Sequence, residues 1–144
     1  VTGVCSAKNT ELVASLGADA VIDYGTEDAL DTEKPYDIIY DTVGARTFAE
    51  AKSALEPAGT YLTLVPAQGI DFFIPGQTEW QPGKGWFVAW APTADDLQVL
   101  ADWASAGKLR AVIDSVFSID EIKQAHLRSE TERAVGKIVI RVRD

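Results

Sequence analysis

The sequence predicts an α/β fold in which mainly parallel strands alternate with helices. Short apolar runs rich in β-branched residues recur along the chain, and segments with helical spacing of apolar residues lie between them. The opening unit contains a strand, a helix and a second strand, the order that joins parallel strands. Hydrophobic residues make up 47% of the 144 residues and charged residues 24%, a mix typical of one globular domain.

The opening unit occupies residues 1–23. Residues 1–5 are an apolar run, and the turn-forming Ser6 ends it. A helix follows, which Gly17 ends, and a second apolar run begins at residue 20. The apolar face of the helix comprises Leu12, Val13 and Leu16. The glycine-rich turn that normally precedes such a unit in dinucleotide-binding folds is not in the sequence.

The middle of the chain repeats the alternation. A polar loop over 23–35 leads to a buried strand over 36–40. An amphipathic helix is predicted next, ended by Pro57 and Gly59, and a strand follows over 60–65. The apolar residues of this helix are spaced i, i+3 and i+7 and are Phe48, Ala51 and Leu55.

The segment that follows does not continue the alternation of strands and helices. Residues 66–85 are rich in Gly and Pro and predict a long loop, either functional or packing its own aromatic side chains. A strand over 86–90 precedes a helix that Thr93 caps and Gly107 ends.

The C-terminal elements are a strand over 112–117, a helix and a strand over 137–142. Ser118 and Glu121 form an S-x-x-E capping box that starts the helix. The helix carries Ile119, Ile122, Ala125 and His126.

Composition bounds the function. The net charge of −9 argues against a general nucleic-acid binder, which needs a positive field to neutralise phosphates. No apolar run approaches the roughly 20 residues of a membrane-spanning helix, and no signal peptide is recognisable. Cys5 is the one cysteine, so no internal disulfide can form, and a cytoplasmic location is expected. Because the chain begins with Val and contains 0 Met, we expect it to open within a longer protein.

Several stretches together resemble the C-terminal part of the medium-chain dehydrogenase/reductase superfamily, most of all its quinone oxidoreductase and zinc-binding-dehydrogenase-like branch. They cover most of the chain outside 66–85 and are VTGVCSAKN, SLGADAVIDY, YDIIYDTVG, ALEPAGTYLTLV, DLQVLADWASAGKLRAVIDSVFSIDEIKQAH and GKIVIRV. The resemblance implies an oxidoreductase that transfers hydride between a nicotinamide cofactor and a small carbonyl, enone or quinone-like molecule. We assign no catalytic residue within this chain.

The resemblance also implies an incomplete fold. Residues 1–110 would be a partial, doubly wound Rossmann domain that lacks its first strand and glycine loop. Residues 111–144 would be a tail that packs on a catalytic domain outside the chain. The gap in the sheet would be closed over, left open or filled by another chain, and exposed strand edges predict a homodimer or other self-association. Without the glycine turn, we expect the isolated chain to bind cofactor weakly and to be inactive.

Three residues near the carboxyl ends of the first strands are candidate cofactor contacts. Ser6 and Lys8 lie where similar enzymes hold the 2′-phosphate of NADP. NAD-preferring enzymes usually place a carboxylate there, which would repel the phosphate, so NADP is predicted over NAD. The resemblance implies that Tyr24 contacts the adenosine phosphate. The alternatives are that Ser6 caps the helix, that Lys8 is merely solvated and that Tyr24 is partly buried at a strand end.

The second group of candidates comprises Thr42, Val43, Gly44 and Val65. The first three follow a strand at its carboxyl end, the ligand side of an open α/β sheet. The family uses this segment near the ribose and nicotinamide, and Gly44 lets the backbone approach closely. An ordinary strand-to-helix turn is the alternative. Val65 ends the next strand, where relatives often have a Gly-Gly pair, so the sequence departs from the family there.

Other polar residues favour structural roles. His126 is the one histidine and lies on an apolar helix face, which favours core or edge packing. Arg133 and Lys137 are interpreted as solvated, although relatives sometimes place a basic residue on the phosphates there. One Cys and one His cannot form a zinc site of the usual N/S type, so no zinc is predicted in this chain.

Two other functions stay open. The strand YDIIYD, a helix and the strand in LEPAGTYLTLV also suit an S-adenosylmethionine-dependent methyltransferase, although the tail from 106 to 141 fits the dehydrogenases better. A non-catalytic, dimeric Rossmann-like binding module would account for the missing glycine loop.

Overall fold

The computed structural model describes residues 1–65, 71–73, 81–88 and 91–143. The chain forms two compact units, Val1–Pro92 and Thr93–Asp144. Every strand pairing in the described part is parallel, and the predicted α/β fold is confirmed. The division after residue 110 refers to a catalytic domain outside the chain and stays a prediction.

The first sheet consists of two parallel strands, β1 (Thr2–Cys5) and β2 (Ala20–Asp23). A 3₁₀ turn (Ala7–Asn9) and helix α1 (Thr10–Ser15) connect them, as the opening unit predicts. Gly17 follows the helix with φ +104, a backbone conformation that favours glycine.

The second sheet contains four strands and follows along the chain. Its elements are β3 (Tyr36–Asp41), helix α2 (Phe48–Ala51), β4 (Leu55–Thr63), β5 (Asp71–Phe73) and β6 (Gly85–Val88). The strand order is β3–β4–β6–β5. Because the strands are parallel, their carboxyl ends share one edge of the sheet.

The predicted helix after β3 is shorter than its apolar spacing suggested. Helix α2 ends at Ala51, and a 3₁₀ turn continues over Lys52–Ala54. Leu55 is extended, with φ −99 and ψ 147, and pairs with Tyr36 as the first residue of β4. The periodicity was misleading because Leu55 is buried in the core from its position on a strand.

Pro57 and Gly59 do not stop a helix but lie inside β4. The register between β3 and β4 shifts between Tyr36 and Ile38, so this part of β4 departs from the regular ladder. Pro lacks the amide that a regular ladder needs, and the irregularity removes that requirement at Pro57.

The core of the first unit lies between α2 and β4. Its buried members are Ala51, Leu55 and Tyr61. The rings of Phe48 and Tyr61 are 6.2 Å apart between centroids. Partly buried side chains pack around this centre, namely Leu30, Tyr36, Ile39 and Phe48. The core therefore anchors the elements on both sides of the turn that follows β3.

No strand pairing joins the two sheets of the first unit among the described residues. The resemblance places the missing first strand at the centre of the sheet, which would be between these two sheets. The described strands therefore do not close over this gap, and an open gap and filling by another chain stay as alternatives. Apolar side chains are exposed on both flanking strands, with Ile38 and Tyr40 of β3 at 58% and 55% and Val4 of β1 at 52%.

The predicted loop over 66–85 contains a strand that its Gly and Pro content concealed. Strand β5 pairs with β6 from Asp71↔Trp86 to Phe73↔Val88. Residues 66–70, 74–80 and 89–90 lie outside the described residues, and so does the suggestion that the loop packs its own aromatic side chains.

The second unit comprises helix α3 (Ala94–Ser105), β7 (Ile113–Ser118), a 3₁₀ turn (Ile119–Glu121), helix α4 (Ile122–Glu130) and β8 (Lys137–Arg141). Strands β7 and β8 are parallel neighbours. Both predicted caps are present: Thr93 Oγ1 accepts the Asp96 amide at 3.3 Å, and Ser118 and Glu121 form a capping box. None of the helices in the described ranges has the length and apolar composition that a membrane span requires.

Asp114 links β7, α4 and the segment before β8. Its carboxylate binds Arg128 through Nε at 2.8 Å and Nη2 at 2.5 Å, and it accepts the Val135 amide at 2.8 Å. The Arg128 guanidinium, aided by the Val135 amide, holds the pKa of Asp114 well below its usual range. This cluster connects β7 to α4 and to the segment before β8.

Candidate functional site

The carboxyl ends of β1 and β2 bring the first group of predicted residues together. Cys5 pairs with Asp23 in the parallel register. Ser6 and Tyr24 directly follow these two paired residues. The Tyr24 amide donates to the Cys5 carbonyl at 3.1 Å and joins the strand ends. Lys8 lies in the 3₁₀ turn just after Ser6.

Ser6 does not cap the following helical turn with its side chain. Its backbone is extended, with φ −80 and ψ 155, and no side-chain capping bond forms. Its carbonyl accepts the Asn9 amide at 2.8 Å, while its Oγ receives a long 3.5 Å contact from Asn9 Nδ2. The side-chain capping alternative is wrong, and the hydroxyl donates to no residue in the part of the chain that the structure describes.

Lys8 and Tyr24 are both exposed. Lys8 forms no ion pair with any described residue. Tyr24 is 61% exposed, which differs from the partly buried alternative. The Asp23 carboxylate accepts the Gly25 amide at 3.0 Å and closes the turn after β2. The group presents a hydroxyl, an ammonium and a phenol, which suit a phosphorylated ribose.

The second group lies at the carboxyl ends of β3 and β4. Thr42, Val43 and Gly44 follow β3, and Val65 lies just beyond β4. A Cβ built on Gly44 would lie 2.9 Å from the Cβ and 3.0 Å from both Cγ atoms of Val65. Gly44 also has φ +72, so only glycine fits without strain. The Val43 side chain is 75% exposed and faces solvent.

Asp41, the last residue of β3, organises this turn. Its Oδ1 accepts the amides of Val43 at 3.0 Å and Gly44 at 2.8 Å. Its Oδ2 accepts the Arg46 amide at 3.0 Å. Burial alone would raise the pKa of this carboxyl, but the hydrogen bonds, including one from Tyr61, outweigh burial and lower it. Asp41 is therefore an ionised acceptor at neutral pH.

Tyr61 connects the turn to the core. Its side chain is fully buried, and its hydroxyl lies 3.0 Å from Asp41 Oδ2 and 2.6 Å from the carbonyl of Arg46. Burial and the neighbouring Asp41 carboxylate raise the pKa of Tyr61 to about 12. The phenol thus stays protonated and shares its proton between these two acceptors.

Two contacts attach the loop after β2 to the second sheet. Arg46 Nη2 pairs with Asp28 Oδ1 at 3.0 Å, and the Tyr36 hydroxyl donates to the Ala29 carbonyl at 3.0 Å. Within the described residues, no hydrogen bond or ion pair runs directly between the two groups of predicted residues. Each group therefore lies at the carboxyl ends of the strands of its own sheet.

Asp41 and Tyr61 are site residues that the sequence analysis missed. An Asp at the end of an apolar strand, followed by a turn with Gly44, is the local signal that could have identified Asp41. Tyr61 has no comparable signal, because its partner lies 20 residues away in the sequence.

The other polar candidates lie in the second unit. His126, Arg133 and Lys137 are exposed, and His126 borders a hollow of about 190 Å³ with Ile122 and Ile138, which agrees with packing at an edge. The described residues do not fit a zinc ion, because no three of their His, Cys, Asp or Glu side chains form a group that could hold a metal ion.

Comparison with known proteins supports one class of function. A family model described as zinc-binding dehydrogenase matches residues 16–140. The chain is 34% identical to trans-enoyl reductase pgmF of Aspergillus terreus and 37% identical to NAD(P)H oxidoreductase RTN4IP1, mitochondrial, of Homo sapiens. Each alignment covers 99% of this chain, but 44% and 41% of the respective relative. The chain thus spans less than half the length of these curated relatives.

The solved structure of the quinone oxidoreductase from Coxiella burnetii has a similar fold. It superposes with a TM-score of 0.75 at 25% identity, covering 99% of this chain and 45% of that protein. The match of the dehydrogenase family over 16–140 overturns the methyltransferase alternative.

Proposed function

Because the chain belongs to the zinc-binding dehydrogenase family of medium-chain dehydrogenases/reductases, we propose that it is the NADP-binding part of an oxidoreductase. When bound, the nicotinamide supplies the hydride, and the protein supplies orientation and electrostatics. The proposed substrate is a small molecule with a carbonyl, an enone or a quinone-like group. The names of similar proteins, trans-enoyl reductase and quinone oxidoreductase, support this class.

The observation that carries the choice of NADP lies just after β1, where the Ser6 hydroxyl donates to no described residue and Lys8 forms no ion pair with one. A hydroxyl donor and an ammonium stand where an NAD-binding site usually has a carboxylate. A 2′-phosphate can therefore accept a hydrogen bond from Ser6 and pair with Lys8.

The other candidates have proposed roles along the same sheet edges. Tyr24 reaches the adenosine phosphate with its exposed phenol. Thr42, Val43 and Gly44 border the nicotinamide ribose, and Val65 supports Gly44 from the next strand. No described residue is given a catalytic role.

The pyrophosphate is the part of the cofactor that these residues do not hold. Dinucleotide-binding folds place it on a glycine-rich turn at a helix N-terminus, and the sequence contains no such turn. We therefore propose that this chain alone binds NADP weakly and does not turn over substrate.

Two further expectations concern assembly and location. The open edge of β3, with Ile38 and Tyr40 exposed, favours self-association and keeps a non-catalytic dimeric binding module as the second candidate function. The cytoplasmic location stays a prediction, and the names of two relatives, from Homo sapiens and Triphysaria versicolor, read mitochondrial and chloroplastic.

The proposal is tested by titrating the ¹⁵N-labelled chain with adenosine 2′,5′-bisphosphate and with 5′-AMP, using NMR so that millimolar affinities are measurable. Lys8→Gln should weaken bisphosphate binding about fivefold, because an exposed ion pair contributes about 1 kcal/mol. Binding of 5′-AMP, which lacks the 2′-phosphate, should not change.

Lys52→Gln provides the matched control, since Lys52 is also an exposed lysine but lies beyond α2, at the amino end of β4. It should leave both affinities unchanged. Equal binding of the two nucleotides by the unmodified chain, or equal effects of the Lys8 and Lys52 variants, would contradict the NADP assignment.

A further inference from the structure

In the turn over residues 42–46, three backbone amides share one acceptor, the carboxylate of Asp41. The amides of Val43, Gly44 and Arg46 all donate to the Asp41 carboxylate. By contrast, the carbonyls of residues 42–45 accept no hydrogen bond from any described residue. Three backbone donors of the turn are therefore occupied by Asp41, whereas four carbonyl acceptors have no partner among the described residues.

This polarity distinguishes the two halves of a nicotinamide dinucleotide. Carbonyl oxygens attract N–H and O–H donors and repel phosphate oxygens. The carboxamide and ribose hydroxyls of the nicotinamide half carry such donors, whereas a 2′-phosphate carries acceptors. Ser6 and Lys8, which follow β1 of the first sheet, instead present a hydroxyl and an ammonium that can donate hydrogen bonds.

We propose that Asp41 is a positioning residue for the nicotinamide half of the bound cofactor: by binding the amides of Val43, Gly44 and Arg46, it fixes the turn and leaves the carbonyls of residues 42–45 available as acceptors. This inference rests on the proposed function. Asp41 does not touch the cofactor in this account, and it acts through the conformation of the turn.

Tyr61 makes this arrangement rigid. Its buried ring packs in the core with Phe48, and its hydroxyl contacts both Asp41 Oδ2 and the Arg46 carbonyl. The turn is thus held at its beginning and its end by one side chain. Asp41 Oδ2 accepts hydrogen bonds from the Arg46 amide and the Tyr61 hydroxyl. An asparagine with its N–H₂ group in the place of Oδ2 would face these two donors with a third donor, and both hydrogen bonds would be lost.

The test compares Asp41→Asn with Asp37→Asn, a change of an exposed carboxylate on the same strand. Binding of NADP⁺ and of adenosine 2′,5′-bisphosphate to the ¹⁵N-labelled chain is measured for each. Asp41→Asn should weaken NADP⁺ binding about five- to tenfold while leaving bisphosphate binding within about twofold. Asp37→Asn should change neither, and a merely structural defect would weaken both ligands together.

Tyr61→Phe gives a second variant that keeps the ring in the core. It should weaken NADP⁺ binding less than Asp41→Asn and should also spare the bisphosphate. In the unmodified chain, the amide signals of Val43, Gly44 and Arg46 should titrate together with the Asp41 carboxyl carbon. If these amide signals do not titrate with the Asp41 carboxyl carbon, the proposal is overturned, even where a variant fails to fold.

The outcomes separate this inference from the proposed function. If the unmodified chain binds the bisphosphate and NADP⁺ but Asp41→Asn weakens both equally or neither, the positioning role is wrong and the NADP assignment stands. If the unmodified chain binds neither nucleotide, the proposed function fails and the positioning role fails with it.

Discussion

Gly44→Ala tests the close contact between the ends of β3 and β4. An alanine at φ +72 is strained by about 1 kcal/mol relative to glycine. Its Cβ would also lie 2.9 to 3.0 Å from three atoms of Val65, well inside ordinary contact distance. Overpacking of this kind costs about 1–3 kcal/mol, and the lower end applies because Val65 is 38% exposed and can shift. The expected loss of unfolding free energy is about 2 kcal/mol.

Gly107→Ala separates the two contributions. Gly107 has nearly the same backbone angle, φ +70, but nothing lies within 4 Å of an added Cβ. Gly107→Ala should therefore lower the free energy of unfolding only through backbone strain, by about 1 kcal/mol. Val65→Ala combined with Gly44→Ala should recover only part of the steric cost, because truncation removes both Cγ atoms but leaves the Val65 Cβ, which lies 2.9 Å from the added Cβ.

Urea unfolding followed by circular dichroism and by amide exchange in each unit measures these differences. Equal losses of unfolding free energy in the Gly44 and Gly107 variants would refute the claimed contact with Val65. A Gly44 variant as stable as the unmodified chain would show that the turn does not have the left-handed conformation.

Two further predictions concern the open edge and the second unit. Ile38→Lys places a charge on the uncovered part of β3 and should shift sedimentation equilibrium toward the monomer; an unmodified chain that is already monomeric would contradict self-association. The lowered pKa of Asp114 means that its contribution to stability is present above the ordinary carboxyl value of 3.8 and is lost as the pH falls below it. Asp114→Asn should therefore flatten the acid dependence of unfolding of the second unit, and an unchanged pH dependence would show that Arg128 does not stabilise the ionised form.

Much of the fold was predictable because its signals are local. The opening strand–helix–strand unit rests on spacing within residues 1–23, and the caps at Thr93 and Ser118 rest on partners three residues away. The placement of Ser6 and Thr42 at carboxyl strand ends follows once the strands are parallel. These features need no knowledge of distant contacts.

The missed features depend on pairing between distant segments. Leu55 has helical spacing with Phe48, and only its pairing with Tyr36 shows that it belongs to a strand. Strand β5 is defined by its neighbour β6 rather than by its own three residues. The hydrogen bond between Asp41 and Tyr61 likewise joins two strands, so no motif within either strand predicts it.

The measurement that tests the central claim most directly is a comparison of NADP⁺ and NAD⁺ binding to the ¹⁵N-labelled chain by NMR titration. The account predicts tighter binding of NADP⁺, with the largest difference between the two ligands at the amide signals of Ser6, Lys8 and Tyr24. Equal affinity for the two dinucleotides, or a difference confined to residues away from the carboxyl ends of β1 and β2, would contradict it.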